Sequence, residues 1–119
     1  MQAKIENKHG LITIPLDVLA NLIGYAATGC YGVVGMVSGN KTDGIVRLLR
    51  KDSMDKGVSV TLSDDDRLIV DLHIMVEYGT NIPAISESIK NRVNYFIAET
   101  TGFVIEAVNV NVDGIRTEK

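Results

Sequence analysis

The stretch from Leu68 to Tyr78 constrains this chain more than any other. Val70, Leu72, Ile74, Val76 and Tyr78 alternate strictly with Asp71, His73, Met75 and Glu77. Successive side chains of a strand point to opposite faces, so this pattern predicts one long strand with an apolar face and a polar one. A chain holding such a strand must build a sheet, and must cover only one side of it with apolar mass.

The flanking residues supply that mass. Val58, Val60 and Leu62 alternate in the same way, and Ser63-Asp-Asp-Asp66 reads as the turn joining two strands. Gly79 ends the long strand. Asn81-Ile-Pro83 then opens the longest predicted helix, with Asn81 as N-cap and Pro83 in the first turn. Ile82, Ile85, Ile89, Val93 and Phe96 form its buried stripe, and Gly102 is the expected stop. A last strand is expected from about Phe103 to Val112. Here Phe103 and Ile105 are apolar on one parity, whereas Val108, Val110 and Val112 are apolar on the other. A bulge near Glu106–Ala107 reconciles the two sets and is the preferred reading. The alternative is that Phe103 and Ile105 close the opposite face near the end of the helix.

The C-terminal half is therefore strand–strand–helix–strand. Short connections around the helix make the last strand run the same way as the Leu68–Tyr78 strand. The two are either parallel neighbours or separated by the Val58–Leu62 strand. In both arrangements the helices cover one face. The other face carries Asp71, His73, Met75, Glu77, Asn109 and Asn111, a surface for water, a protein partner or a second subunit.

The N-terminal half is less regular. Gly10 to Ile14 reads as a short extended segment, and Pro15 as the first residue of a helix carrying Leu16, Leu19, Leu22, Ile23 and Ala26 on one stripe up to Gly29. Glycines then punctuate residues 29–39, leaving room for a short strand at Val33–Val37. Asn40–Gly44 reads as a turn and Ile45–Lys51 as a short helix. At 119 residues, with 45% hydrophobic and 23% charged residues, all of this fits one α+β domain over residues 1–119. The sheet is expected to be small, mixed or antiparallel, with the helices on one side.

No catalytic, cofactor or metal site is expected. His9 and His73 stand in no metal-ligand spacing. Asp71, His73 and Glu77 share a strand face, but a solvated face explains them better than a metal does. The Asp64–Asp66 run lacks the glycine and distant glutamate of a calcium loop. Cys30, the single cysteine, lies among small and apolar neighbours, which points to a buried, inert thiol, although Tyr25 and Tyr31 lie close in sequence. No phosphate loop or nucleophile elbow is present. Asp17, Glu77, Glu87 and Glu99 are scattered over different elements, so no acid–base pair emerges.

The net charge of −3 argues against nucleic acid, which needs clustered cations. The densest basic group is Arg47, Arg50 and Lys51, at the end of the short predicted helix, where cations complement the macrodipole. Gly32-Val-Val-Gly35 matches the G-x-x-G of a KH domain, and a small-ligand or nucleic-acid binding module with a KH-like order of elements is the alternative reading. The tetrapeptide lacks the basic residues that would hold a nucleic-acid backbone, and close packing against a helix accounts for its glycines. The N-terminus has no apolar signal core, and no stretch reaches the roughly 18 apolar residues of a membrane span. A cytoplasmic protein without direct membrane insertion is the expectation.

Four stretches in order resemble the alkaline shock protein family of envelope stress response proteins from Gram-positive bacteria. They are Ile12-Thr-Ile14 leading into a helix; Ala26-Ala-Thr-Gly-Cys-Tyr-Gly32-Val-Val-Gly-Met36; Val70-Asp-Leu-His-Ile-Met-Val-Glu-Tyr-Gly79 followed by Asn81-Ile-Pro83; and Val108-Asn-Val-Asn-Val-Asp-Gly-Ile115. The resemblance implies a non-enzymatic adaptor or scaffold in envelope stress and wall homeostasis. It also implies self-association as a homo-oligomer, and recruitment to the inner face of the membrane by a protein partner such as a membrane-anchored adaptor. It carries over no catalytic residue. This chain reads as a short version, without the charged extensions that some relatives carry, and that departure weakens the inference of membrane recruitment.

Overall fold

The computed structural model describes residues 2–7, 10–38, 48–49 and 55–117. The element order is β1 (Gln2–Asn7), β2 (Gly10–Pro15), α1 (Leu16–Thr28), β3 (Val33–Met36), β4 (Val58–Leu62), β5 (Leu68–Glu77), α2 (Ile82–Thr101) and β6 (Ile105–Arg116). This is the α+β arrangement the alternation demands, and its second half is strand–strand–helix–strand.

Strand β5 is the spine. On one edge it pairs in parallel with β6 along its whole length, from Leu68 opposite Ile105 to Glu77 opposite Arg116. The other edge is shared end to end by two antiparallel strands: β4 lies opposite Leu68–Leu72 and β3 opposite Ile74–Val76. Of the two strand orders compatible with the sequence, the structure has the one with the parallel strands adjacent. The core-facing side of β5, namely Leu68, Val70, Leu72, Ile74 and Val76, is fully buried. Each such side chain contributes roughly 1.5–3 kcal/mol by leaving water. Helix α1 packs over β3 and β4, helix α2 packs beside it, and both lie on that same face.

Capping sets the limits of α2. The Asn81 side chain accepts a hydrogen bond from the Ala84 amide at 3.1 Å, and Gly102 closes the helix at φ 81°, a left-handed conformation that glycine adopts without strain. The buried stripe is Ile85, Ile89, Val93 and Ile97. Ile82 was expected on it but lies in the first turn, before the helix reaches the sheet, and is exposed; Phe96 is only partly buried. A strict four-residue step therefore keeps Ile97, rather than Phe96, over the sheet.

Other expectations need correcting. Tyr78 is 75% exposed, because β5 ends at Glu77 and Gly79 at φ 85° turns the chain away. Pro15 closes β2 and caps α1 at ψ 146°, so the helix starts one residue later than proposed. Strand β1 is an addition: it pairs antiparallel with β2 from Gln2–Pro15 to Asn7–Gly10, and Ala3 is completely buried. Leu48 does not lie in a helix but bridges to Val37, and the Leu49 amide donates to Met36 O at 2.8 Å. The rest of the expected helix, including Arg47, Arg50 and Lys51, lies outside the described residues, as do the Asn40–Gly44 turn and His9.

The bulge expected near Glu106–Ala107 is present. Leu68 pairs with Ile105 and Ile69 with Ala107, which makes Glu106 the extra residue. Ile105 and Val108 consequently share the core face despite their opposite parity. A second bulge was not anticipated. Ile74 pairs with Val112 and Met75 with Gly114, so Asp113 is extra and the parity of β6 reverses again.

Candidate functional site

Among the described residues no helix covers the other face of the sheet, which β4, β5 and β6 build. Asp71 pairs with Asn109 on one side and Ser59 on the other, and His73 pairs with Asn111. Met75 and Glu77 follow on the same face. The residues singled out from the sequence, Asp71, His73, Met75, Glu77, Asn109 and Asn111, thus share one surface, and the β5 members are each half-buried.

The polar groups on this surface are matched to one another across the β5–β6 ladder. Asn109 Nδ2 donates to Asp71 Oδ1 at 2.9 Å. Asn111 Nδ2 donates to the Leu72 carbonyl at 3.0 Å, within the same ladder. Arg116 reaches the Glu77 carboxylate. His73 Nδ1 lies 2.8 Å from Asp113 Oδ2. A carboxylate only accepts, so this nitrogen carries the proton and the ring orientation is fixed.

Two of these partners, Asp113 and Arg116, escaped the sequence reading. Both depend on the second bulge. Without it, Arg116 would point into the core and Ile115 toward the polar face. The signal was available: Val112 and Ile115 are apolar on opposite parities with Asp-Gly between them, the same parity break that revealed the bulge at Glu106.

The His73–Asp113 pair has the form of an oriented base. A histidine held by an aspartate can act as a base when a nucleophile lies against its other nitrogen. The only cysteine is not that nucleophile. Cys30 is buried at the end of α1, and its Sγ faces the Ala26 carbonyl at 4.0 Å. Tyr25 and Tyr31, which flank it in sequence, are exposed. Among the described residues no group of three or more histidine, cysteine, aspartate or glutamate side chains could hold a metal ion. Asp71, His73 and Glu77 are each engaged across the ladder, with Asn109, Asp113 and Arg116.

A cleft of about 540 Å³ opens at the far end of the sheet, between the Tyr31–Gly32 turn and the Tyr78–Asn81 turn. The exposed rings of Tyr31 and Tyr78 flank it, while the Thr80 hydroxyl is occupied by the Glu77 carbonyl at 2.7 Å. Gly32, the first glycine of the G-x-x-G tetrapeptide, sits here at φ 88°, and a Cβ on it would come within 2.7 Å of the Ile85 side chain. Gly35 follows a bulge in β3 and pairs with Met75. Both glycines therefore serve chain packing, and nothing in this geometry supports the KH-like nucleic-acid alternative.

A family profile described as having a cell envelope-related function matches residues 4–117. The chain belongs to the alkaline shock protein 23 family. Among relatives in this family, the uncharacterized protein YloU of Bacillus subtilis is 36% identical over 117 residues, covering 98% of this chain and 97% of that protein. Spy1614 of Streptococcus pyogenes, also uncharacterized, is 38% identical over 98% of this chain and 96% of its own length. A Streptococcus pyogenes protein named stress response regulator gls24 homolog is 29% identical over 92% of this chain and 61% of its own length. The envelope-stress resemblance seen in the sequence is thus correct, and the family's description names no reaction. In fold, the chain is similar to the copper form of the MamM CTD, with a TM-score of 0.57 at 16% identity over 87% of this chain and 90% of that one. At that identity the likeness is one of architecture. No helix among the described residues is long and apolar enough to cross a membrane.

Proposed function

We propose that this member of the alkaline shock protein 23 family is a non-enzymatic adaptor or scaffold in the envelope stress response, docking a protein partner on the β5–β6 polar face. The observation that carries the reading is the mutual matching of that face. Its carboxylates, imidazole and guanidinium are held by one another or by the Asn109 amide, which fixes their geometry without leaving an acid, base or nucleophile poised to react. Met75 and Ile69 stand half-buried between these polar groups. Such a mixture of ordered polar groups and apolar area is what a protein interface uses. Recruitment to the inner face of the membrane belongs to the same proposal, with a membrane-anchored adaptor protein as the occupant of the face.

The test compares the wild-type chain with a Met75→Lys variant, each immobilised and exposed to a Gram-positive lysate. The wild type should retain one protein at stoichiometric levels, and the variant should lose it, because the lysine places a charge in the centre of the interface. Equal retention by both, or no retained protein, would overturn the reading.

A further inference from the structure

Two recesses meet at the end of the sheet where β5 gives way to α2. The larger is the cleft of about 540 Å³ between the Tyr31–Gly32 and Tyr78–Asn81 turns. The smaller, of about 240 Å³, continues it toward α2, where Tyr31, Ala84, Ile85 and Ser88 line it. The cleft falls within the roughly 300–1,000 Å³ of ordinary small-molecule sites. Its rims are fixed to one another. The Glu77 amide donates to Gly32 O at 2.9 Å, which ties one turn to the other, and the Tyr78 amide donates to Arg116 O at 3.0 Å. Tyr31 is 89% exposed, more even than Tyr78, so neither ring is covered by the chain's own apolar mass.

The polar groups decide which charge this cleft accepts. The amides that could meet an anion at the start of α2 are taken: Ala84 N donates to Asn81 Oδ1, Ile85 N donates to Asn81 O, and Pro83 has none. No lysine, arginine or histidine among the described residues lines either recess, and Glu77 is the one charged residue that does. Arg116 engages its carboxylate at Oε2, and Oε1 has no partner among the described residues. What remains for a ligand is electron-rich: two aromatic faces, their phenol oxygens and one carboxylate oxygen.

We infer that the cleft binds a small organic cation, an alkylated ammonium whose head lies between Tyr31 and Tyr78 beside Glu77. Its apolar tail enters the inner recess over Ala84 and Ile85. Aromatic faces recognise quaternary ammonium groups because they attract the charge without needing a hydrogen bond from it. The orientation follows from α2. The positive end of its dipole disfavours a cation in the inner recess, which leaves that space to the tail and the Glu77 end to the head.

The test is a titration of the full chain with choline, followed through the NMR signals of the Gly32, Gly79 and Thr80 amides. They should shift saturably with a Kd on the order of 1–10 mM, and the uncharged isostere of choline, with carbon in place of nitrogen, should bind at least about fivefold more weakly. Butyltrimethylammonium should bind about tenfold tighter than tetramethylammonium, because its tail fills the inner recess. Tyr31→Leu and Tyr78→Leu keep apolar bulk without a ring face, and each should weaken choline binding about three- to fivefold, whereas Tyr31→Phe and Tyr78→Phe should retain it. Glu77→Gln should weaken binding, and Arg116→Gln, which uncovers the Glu77 carboxylate, should tighten it; a merely structural disturbance would weaken both. Circular dichroism confirms folding of each variant. No saturable shift up to about 100 mM choline would overturn the inference, as would equal binding of the uncharged isostere. So would leucine variants that bind like the wild type, or charge variants that change affinity in the same direction. The inference does not rest on the adaptor reading, since the titration involves no partner protein.

Discussion

The two faces of β5 are separated only by the alternation of one strand, yet they answer to different physics. On the core face, Leu68, Val70, Leu72, Ile74 and Val76 have no water contact and are held by packing on all sides. On the opposite face Asp71, His73 and Glu77 keep partial contact with solvent, and each meets a cross-strand partner from β6. The first face is built to be stable and has no room to do anything else. The second adds little stability, and that freedom lets it present a surface. The contrast can be measured by removing one side chain at a time and following unfolding by chemical denaturation.

The largest effect is expected at Leu72. Leu72→Ala removes a side chain with no exposure from the middle of the central strand, where β4 on one side and β6 on the other limit relaxation. A loss of about 2–5 kcal/mol follows from the transfer and cavity contributions together. A loss below roughly 1 kcal/mol would mean that the core closes over the gap, and the contrast between the faces would collapse.

The next largest belongs to the polar face where it is least wet. The Asp113 side chain is 10% exposed and its carboxylate holds His73. Asp113→Ala should cost about 1.5–3 kcal/mol, the scale of a lost hydrogen bond to a charged group. Removing the bulged residue's side chain also frees the His73 ring. Its NMR signals should therefore broaden or shift, while those of the core methyl groups stay in place.

These two positions also show what the sequence could reveal. Leu72 was legible because a strict two-residue period, running through Leu68–Val76, needs no knowledge of any partner strand. The Glu106 bulge was legible for a related reason: a parity break inside a run of valines cannot be absorbed by an ordinary strand. Asp113 was not read correctly, because Val112-Asp-Gly114 resembles the end of a strand, and only the continuation to Ile115 and Arg116 shows that pairing resumes. Strand β1 was missed because its fully buried residue is Ala3, a side chain too small to announce a strand, with charged Lys4 and Glu6 around Ile5. The Tyr78 error came from extending a period one residue past the glycine that breaks it. For the candidate face, the sequence placed the six residues together but could not pair them, since partners some 40 residues apart depend on register and register depends on the bulges.

The smallest effect is expected at Glu77. Its carboxylate meets Arg116 with side chains 42% and 46% exposed, so water screens the attraction and both long side chains lose rotamer freedom on pairing. Exposed pairs of this kind contribute about 0–1 kcal/mol. Glu77→Gln should therefore shift the unfolding midpoint hardly at all, and what shift there is should fade as salt is raised toward about 1 M. A cost above roughly 2 kcal/mol at that ionic strength would exceed what a solvated pair supplies. The backbone around Glu77, whose amide donates to Gly32 O at 2.9 Å, would then carry the stability instead. The polar face would in that case end as a structural seam at this point, not as a surface free to meet a partner.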